Sequence, residues 1–270
     1  MKTWKHLIFV GLFAITVFVF IACGNSNNPQ PNTFTVTFNS NGGSTVNSIT
    51  GLNSGDTITS PTNPIRNGFE SFFVGWYDQV LENAFDFNSS ISGNITLHAK
   101  WRPYEIGETG PGGGIIFYRN EIGFIMTDDN SVAHYLEAAP NDMPMRLAWA
   151  SEKHIDTVID GLENSIGAGR KNTFLILAVD PAAPAAKACV EFNHNGKFDW
   201  FLPNWREINE LYDQIDKIDN ISTSFNNFYW ISEQHPQVQN MALAMILLAA
   251  PNLGGYAKDS LFFVRAIRAF

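Results

Sequence analysis

A stretch rich in proline and glycine, residues 103–113, divides this chain of 270 residues into two parts with different patterns. Before it, apolar and polar residues alternate from Phe34 to Phe38, which indicates a half-buried strand. After it, apolar runs of several lengths are mixed with one clear helical period. Because proline and glycine interrupt regular structure and often lie between domains, we predict two folded units, at 33–102 and 114–270, joined by a linker at 103–113.

The composition excludes several classes of protein. Hydrophobic residues make up 45% of the chain and charged residues only 16%, which suits a packed core and not a disordered chain. The net charge of −9 argues against nucleic acid as a partner, because phosphate binding requires a basic surface. Two cysteines are too few for a scaffold held by several disulfides.

The N-terminus predicts export from the cell. Two lysines, Lys2 and Lys5, precede an uncharged run at residues 7–22. A positive start followed by an apolar run of this length is typical of a secretory signal, whereas a membrane span needs about 20 residues. Removal of residues 1–22 takes away both lysines and no acid, so the net charge would fall from −9 to −11.

The apolar run ends at Ala22 and Cys23, where the sequence IACG resembles a bacterial lipobox. The resemblance implies that residues 1–22 are removed and that acyl chains on Cys23 hold the protein on the outer surface of the cell envelope. Residues 24–32 contain no apolar side chain to bury, so we predict a flexible tether at 23–32. Phe20 replaces the usual leucine, and looser lipoboxes of this kind are known in spirochaetes. An uncleaved anchor helix, or a conventional signal peptide beside an incidental Cys23, are the alternatives.

Motifs between residues 33 and 102 occur in a fixed order: TVTFNSNGGS, SGDTI, PTNPIRNG, FVGWYD and ITLHAKW. They resemble one whole copy of the Listeria–Bacteroides repeat, the B-repeat of internalins. The resemblance implies a small β-grasp-like fold of bacterial surface proteins, which acts as a spacer or interaction module without known catalysis. The segment GFESFFVGW is longer than the family pattern, so we predict a bulge or a longer turn there.

Residues 110–270 carry a second ordered set of motifs: GPGGGIIFY, HYLEAAP, DWFLPNWREINELY, YWIS and VRAIRAF. This set is similar to the C-type-lectin-like domain of the Legionella collagen-like adhesin C-terminal type, which many bacterial lipoproteins share. The resemblance implies a compact α+β domain with a mixed or antiparallel sheet, and a role in ligand binding or adhesion. For the whole chain we therefore predict the α+β class, with a β-grasp-like repeat followed by a lectin-like domain.

Local patterns predict several elements in this second part. Asn204 and Glu207 have the spacing of a capping box at the start of an amphipathic helix. The apolar run at 174–179 predicts a buried helix, and residues 117–128 predict a hairpin. Strands are expected at 228–231 and 262–270.

The region from Glu233 to Ser260 is the candidate ligand surface. Its run of ten apolar residues, 241–250, is too short to span a bilayer, so it forms either a buried strand or an exposed patch for a partner, and we favour burial. If the region binds a ligand, we expect contacts from the polar side chains that flank this run. These residues are Gln234, Gln237, Gln239, Asn240, Asn252, Tyr256 and Lys258.

No pattern in the sequence predicts catalytic residues, a metal site or a cofactor. No two of the six histidines lie three to five residues apart, as zinc ligands on one helix would. The chain has no G-x-S-x-G motif, and the glycines at 110–114 lack the lysine and hydroxyl residue of a phosphate-binding loop. Cys189 lies in an Ala-rich stretch, so we expect a buried thiol.

These observations favour a surface-anchored lipoprotein that binds or adheres through its C-terminal domain without catalysis. The expected partners are the membrane, through the acyl chains on Cys23, and an unknown protein or glycan ligand, but no nucleic acid. The alternative is a structural protein of the cell envelope with no soluble ligand.

Overall fold

The computed structural model describes residues 33–224, 227–247 and 252–270. The predicted signal peptide at 1–22, the lipid attachment at Cys23 and the tether at 23–32 lie outside these described residues. The described chain forms three β-sheets and three short α-helices. The predicted α+β class, with its distinct lectin-like domain, is therefore wrong. The helices are only 8 to 11 residues long, so the fold is β-rich.

The first sheet contains four strands from the N-terminal part. They are β1 (Phe34–Asn39), β2 (Ile49–Leu52), β3 (Phe72–Tyr77) and β4 (Ile95–Arg102), in the order β2-β1-β4-β3. Strands β1 and β4 are parallel, and the other pairs are antiparallel. The alternation predicted from Phe34 onward is confirmed, because Val36 and Phe38 are buried and Thr37 is exposed. The predicted bulge is also confirmed, since the register between β3 and β4 shifts between Phe73 and Gly75.

The C-terminal part contains two antiparallel sheets of three strands. One has the order β10-β6-β5 and is formed by β5 (Ile115–Ile125), β6 (Val132–Ala138) and β10 (Ile267–Ala269). The other has the order β7-β8-β9 and is formed by β7 (Phe228–Gln234), β8 (Met241–Ile246) and β9 (Asn252–Ala257).

Two sequence predictions for these strands need correction. The hairpin predicted at 117–128 is wrong, because β5 continues as one strand of eleven residues and pairs with β6 across a later turn. The strand predicted at 262–270 is regular only from Ile267 to Ala269. Before it, Phe262 and Phe263 form single bridges to different segments of the chain, so no continuous ladder develops.

The helices are α1 (Gly169–Val179), α2 (Pro184–Glu191) and α3 (Trp205–Asp213), with short 3-10 turns at Glu152–His154 and Ile215–Lys217. The predicted capping box is confirmed at the start of α3. The helix predicted as buried around 174–179 is not buried on all sides, because Phe174 is 50% exposed. No single helix of the described residues is long and apolar enough to cross a membrane, although α1 and α2 pass that test as a pair bent by 119°.

The C-terminal part is packed around two apolar clusters. Three buried tryptophans, Trp149, Trp200 and Trp230, lie in one cluster together with Cys189. The buried environment predicted for Cys189 is confirmed, and burial raises the pKa of its thiol. Strand β8 lies in the middle of its sheet, and its residues from Met241 to Leu247 are buried or half-buried, which confirms the predicted burial of the apolar run up to Leu247. The end of that run, residues 248–250, lies outside the described residues.

Candidate functional site

The repeat sheet and the C-terminal part meet at a joint made of aromatic side chains. The ring of Phe69 stacks on the ring of Tyr135, with centroids 5.7 Å apart and planes within 3°. The Tyr135 hydroxyl donates a hydrogen bond to the carbonyl of Phe69, and the backbone N–H of Tyr104 donates to the same hydroxyl at 3.1 Å. Tyr104 also meets the ring of Phe72 edge-on at 5.2 Å. The joint therefore combines stacking with directional hydrogen bonds.

The predicted linker is hydrogen-bonded to the C-terminal part. The N–H of Gly107 donates to the carbonyl of Ile116 at 2.8 Å, and the N–H of Ile116 donates to the carbonyl of Glu108 at 2.9 Å. Arg102 donates to both carboxylate oxygens of Glu108, and its guanidinium lies 3.8 Å from the centre of the Phe72 ring. The hydrogen bond from Arg102 lowers the pKa of Glu108. The segment thus connects both parts through backbone and side-chain contacts.

A cleft of about 370 Å³ opens at this joint, and we call it the junction cleft. The repeat contributes residues 63–67 and 71–73 to its walls. The remaining lining residues come from the linker and the C-terminal part: Tyr104, Thr109, Pro111, Lys197, Arg268 and Phe270. Both structural units therefore form the cleft, and a change in their relative position would change its shape.

The charges along the junction cleft have one sign. None of the described residues that line it is acidic, whereas Arg66, Lys197 and Arg268 are basic. Arg268 adds no net positive charge, because it forms ion pairs with two carboxylates, Glu137 at 3.0 Å and Asp199 at 2.7 Å, and the three ionised groups together carry a net charge of −1. Arg66 lies 3.9 Å from one exposed carboxylate, that of Glu70, and Lys197 has no ion pair with the residues the structure describes. Two cations, one from each unit, therefore remain available to a ligand.

The junction cleft also holds a buried hydroxyl. Ser71, which lines the cleft, is 9% exposed, and its Oγ has no hydrogen-bond partner among the described residues. A buried polar group without a partner costs roughly 1–3 kcal/mol, so such groups in a native protein require an explanation. A bound ligand or water molecule in the cleft would supply that partner.

The glycine-rich loop at 110–114 forms the base of this region, and it binds the protein's own carboxylate. The N–H groups of Gly112 and Gly114 donate to Glu137 at 3.0 and 2.6 Å, and Arg268 donates to the same carboxylate. A Cβ atom on Gly114 would lie 1.9 Å from the carbonyl oxygen of Ala138. Glycine is therefore required for the close approach of the loop to β6.

A second cleft of about 370 Å³ lies between α1, α2 and the segment before Trp200. Two exposed rings border it: Phe174 and Phe198, which are 50% and 67% exposed. Its charged groups are already paired, because Arg170 binds Asp128 at 2.7 Å and Asp129 at 2.6 Å. This cleft offers apolar surface but little unpaired charge.

The seven residues predicted to contact a ligand do not form one surface. Gln237, Gln239 and Asn240 are exposed in the turn between β7 and β8. Asn252 is exposed as well, but it begins β9 at the opposite end of the sheet, about 17 Å away at 3.3–3.4 Å per residue. Tyr256 packs against the ring of Phe228, with centroids 4.4 Å apart.

The other two predicted contacts are engaged inside the protein. Gln234 exchanges two hydrogen bonds with the backbone of Ile159, both at 3.1 Å. Lys258 is fully buried, donates to the carbonyl of Thr157 at 2.6 Å and lies 5.0 Å from the centre of the Trp149 ring. Desolvation lowers the pKa of Lys258. A role in ligand binding stays a prediction for this set, and the exposed amides are its accessible members.

One group of residues has the composition of a catalytic triad but not its geometry. Ser151 Oγ lies 3.1 Å from His154 Nδ1, and the same nitrogen lies 3.3 Å from Asp180 Oδ1. Ser151 Oγ also donates directly to Asp180 at 2.8 Å. A proton relay needs the two ring nitrogens of histidine on different partners, so this closed triangle does not activate the serine.

Glu207 is a buried carboxylate with a structural role. It accepts hydrogen bonds from the N–H groups of Gly167, Gly169 and Asn204 at 3.0, 3.2 and 2.9 Å. Burial raises its pKa to about 7, although these hydrogen bonds act in the opposite direction. Across the described residues, no group of three or more His, Cys, Asp or Glu side chains is placed to hold a metal ion.

Comparison with known proteins identifies the first structural unit. Residues 34–100 match the family model of the Listeria-Bacteroides repeat domain, so the resemblance found in the sequence is confirmed for this segment. The repeat family occurs in bacterial surface proteins. The family match ends at residue 100 and covers none of the C-terminal part.

Two relatives from Evansella cellulosilytica share this segment. A protein named as a Gly-rich membrane protein is 44% identical over 72 residues, which are 26% of this chain and 8% of the relative. A protein named as a membrane protein is 43% identical over 72 residues, which are 26% of this chain and 10% of the relative. The chain therefore spans a tenth or less of the length of these relatives. Together with the repeat family, they support a location at the bacterial cell surface.

Among solved structures, a fimbrial protein from Bacteroides ovatus aligns with 88% of this chain and 70% of its own, with 12% identity and a TM-score of 0.41. A likeness this distant assigns neither fold nor function.

Proposed function

We propose that this protein is a lipid-anchored bacterial surface protein that binds a ligand without catalysing a reaction. The observation that carries the proposal is the repeat at residues 34–100, a module of bacterial surface proteins. The proposal adds two statements to a location at the bacterial cell surface. It places acyl chains on Cys23, and it assigns ligand binding or adhesion to the part of the chain that follows the repeat.

The lipid anchor is supported by the N-terminal sequence and by the charge of the protein. The apolar run at 7–22 ends directly before Cys23. A chain with a net charge of −11 after removal of residues 1–22 is not attracted to anionic lipid. In this proposal acyl chains provide the attachment, and stable attachment takes more than one chain.

A binding role is supported by apolar side chains exposed at the surface. At the end of the β5–β6 pair, Ile122 is 92% exposed, and the cross-strand partners Ile125 and Val132 are 50% and 56% exposed. Phe174 and Phe198 expose aromatic rings beside the second cleft. Clustered apolar side chains on a soluble surface are typical of contacts with a partner.

A structural protein of the cell envelope is the alternative function. The packed joint between the repeat and the C-terminal part favours it, because a fixed joint suits a rigid element of a larger assembly. Both functions require the same anchor. A screen of the protein against glycans and matrix proteins separates them, since saturable binding is expected only for the first.

Lipid labelling tests the anchor. In a bacterial host, the wild-type protein should incorporate radioactive palmitate and sediment with membranes. Cys23→Ser should abolish labelling and release the protein, whereas Cys189→Ser, a buried thiol in the folded part, should leave both unchanged. Membrane sedimentation of the unlabelled Cys23→Ser variant would contradict lipid anchoring and favour an uncleaved helix.

A further inference from the structure

We propose that the junction cleft binds an acidic saccharide, in which a carboxylate lies between Arg66 of the repeat and Lys197 of the C-terminal part. This inference rests on the proposed binding function and names its site and ligand class.

The charges of the lining residues indicate that the ligand is negatively charged. The chain carries a net charge of −9, yet every charged residue that lines the junction cleft is basic. Arg268 is occupied by two carboxylates, Glu137 and Asp199, so Arg66 and Lys197 are the lining cations left for a ligand. A carboxylate in the cleft would be bound through direct charge-assisted hydrogen bonds from these two side chains.

The remaining lining groups distinguish a saccharide from a small inorganic anion. The side chains of Asn63 and Asn67 are exposed, Thr109 adds a hydroxyl, and Ser71 Oγ lacks a partner among the described residues. These amides and hydroxyls both donate and accept hydrogen bonds, as the hydroxyl groups of a sugar do. Phosphate or sulfate alone would use the two cations and leave most of these groups unpaired.

The walls and the size of the cleft fit one or two sugar rings. Half-buried rings of Phe73, Tyr104 and Phe270 line it and provide apolar surface for the C–H faces of a sugar. Its volume of about 370 Å³ lies at the lower end of the 300–1,000 Å³ range typical of ligand pockets. An acidic peptide would instead meet residues 63, 65 and 67, which line the cleft, are exposed and carry no charge, so most of its carboxylates would have no cation partner there.

The position of the cleft predicts a mechanical consequence of binding. Because Arg66 belongs to the repeat and Lys197 to the C-terminal part, one carboxylate held by both would bridge the two units. A ligand that binds only the folded protein stabilises it, by an amount that grows with the ratio of ligand concentration to dissociation constant. Ligand should therefore raise the unfolding temperature of the protein and protect the linker from proteases.

Calorimetric titration of the full-length protein tests the proposal. The probes are digalacturonate, the neutral disaccharide galactobiose, inorganic phosphate and hexaglutamate. We expect saturable binding of digalacturonate and at least about tenfold weaker binding of galactobiose, the loss that corresponds to one charge-assisted hydrogen bond. Raising the salt concentration should weaken the binding of digalacturonate, because the ions screen exposed charges.

Variants of single cations locate the site. Arg66→Ala and Lys197→Ala should each weaken digalacturonate binding about tenfold, while the matched controls Arg206→Ala and Lys153→Ala, which remove exposed cations outside the cleft, should not. All four side chains are solvent-accessible, so the variants are expected to fold. Circular dichroism of each variant provides the check.

Each other outcome overturns the proposal. Equal affinity for both disaccharides, or unchanged affinity in both cleft variants, would remove the junction cleft as an acidic sugar site. Tighter binding of phosphate would indicate a simple anion site, and tighter binding of hexaglutamate would indicate an acidic peptide. If digalacturonate does not bind in the junction cleft but the wider screen of glycans and matrix proteins finds a ligand, the proposed binding function stands and only the proposed site is wrong.

Discussion

The repeat and the C-terminal part of this protein are stabilised in different ways. The core of the repeat is apolar, with Val36, Trp76 and Leu97 at its centre, and Ser71 is the buried polar side chain among the described residues 33–102. The C-terminal part instead buries several charged side chains: Glu137, Glu207, Lys258, Arg265 and Arg268. The comparison shows that a small unit can rely on alternating apolar residues. The larger part instead satisfies its buried ionisable groups by ion pairs, as for Arg268, or by hydrogen bonds with the backbone, as for Glu207 and Lys258.

Removal of one buried charge in the C-terminal part should cause the largest loss of unfolding free energy. Glu137→Ala leaves Arg268 without one of its two partners and the N–H groups of the glycine-rich loop without an acceptor. Breaking a buried pair in this way costs about 3–5 kcal/mol of unfolding free energy, measured by urea denaturation. The control Glu191→Ala, which removes an exposed helix partner of Lys187, should cost less than about 0.5 kcal/mol. Equal effects would contradict the structural role of the buried network.

A smaller change in stability is expected with pH, and it arises from Glu207, a buried carboxyl group of the C-terminal part. The pKa of Glu207 is raised from 4.5 to about 7, so the folded protein holds this proton over a pH range in which the unfolded chain releases it. Stability from this group is present below pH 4.5 and is lost as the pH rises to about 7, by on the order of 3 kcal/mol.

Glu207→Gln is the matching variant, because glutamine does not titrate. Its unfolding free energy should vary less between pH 4.5 and 7 than that of the wild type, even though an amide nitrogen cannot accept the hydrogen bond from the Asn204 N–H, which lowers the absolute stability. Urea denaturation at several pH values makes the measurement. The same slope in both proteins would show that Glu207 does not titrate in this range.

The smallest loss of unfolding free energy is expected from a substitution at the joint between the two parts. Arg102 and Glu108 remain 36% and 30% exposed, so Arg102→Ala should reduce the unfolding free energy by only about 0.5–1 kcal/mol. It should nevertheless speed proteolysis within residues 103–113, because the linker loses a contact to the repeat. Lys171→Ala, which breaks an ion pair with Glu163 in the C-terminal part, is the control. Rapid cleavage of the wild-type linker would instead indicate that the two units are independent.

Local sequence patterns predicted much of the repeat and the start of α3. The alternation in β1 and the capping box of Asn204 and Glu207 involve residues within a few positions of each other, so their geometry follows from spacing alone. The bulge before Gly75 was predicted in another way, from the extra length of GFESFFVGW relative to the family pattern that the repeat resembles. Features of this kind require no knowledge of distant contacts.

The C-terminal part was harder to predict because its determinants are distant in sequence. Arg268 and Glu137 are 131 positions apart, and no spacing indicates their pairing. Lys258 looks like a surface residue in the sequence, but Thr157 and Trp149 come from remote segments to bury it. The junction cleft was missed for a similar reason, since its cations belong to different units. One feature of the sequence could have pointed to these cations. Basic residues are outnumbered by acidic residues in this chain, so each basic residue is a candidate contact for an anion.

Surface display on living cells is the most direct test of the central claim, that the protein is anchored by lipid and presents its folded parts outside the cell. Intact cells that express the protein are treated with a protease, and the C-terminal part is followed with an antibody against residues 114–270. We predict that the signal disappears from intact cells and that Cys23→Ser moves the protein from the cells into a soluble fraction. Protection of residues 114–270 until the cells are made permeable would contradict the account.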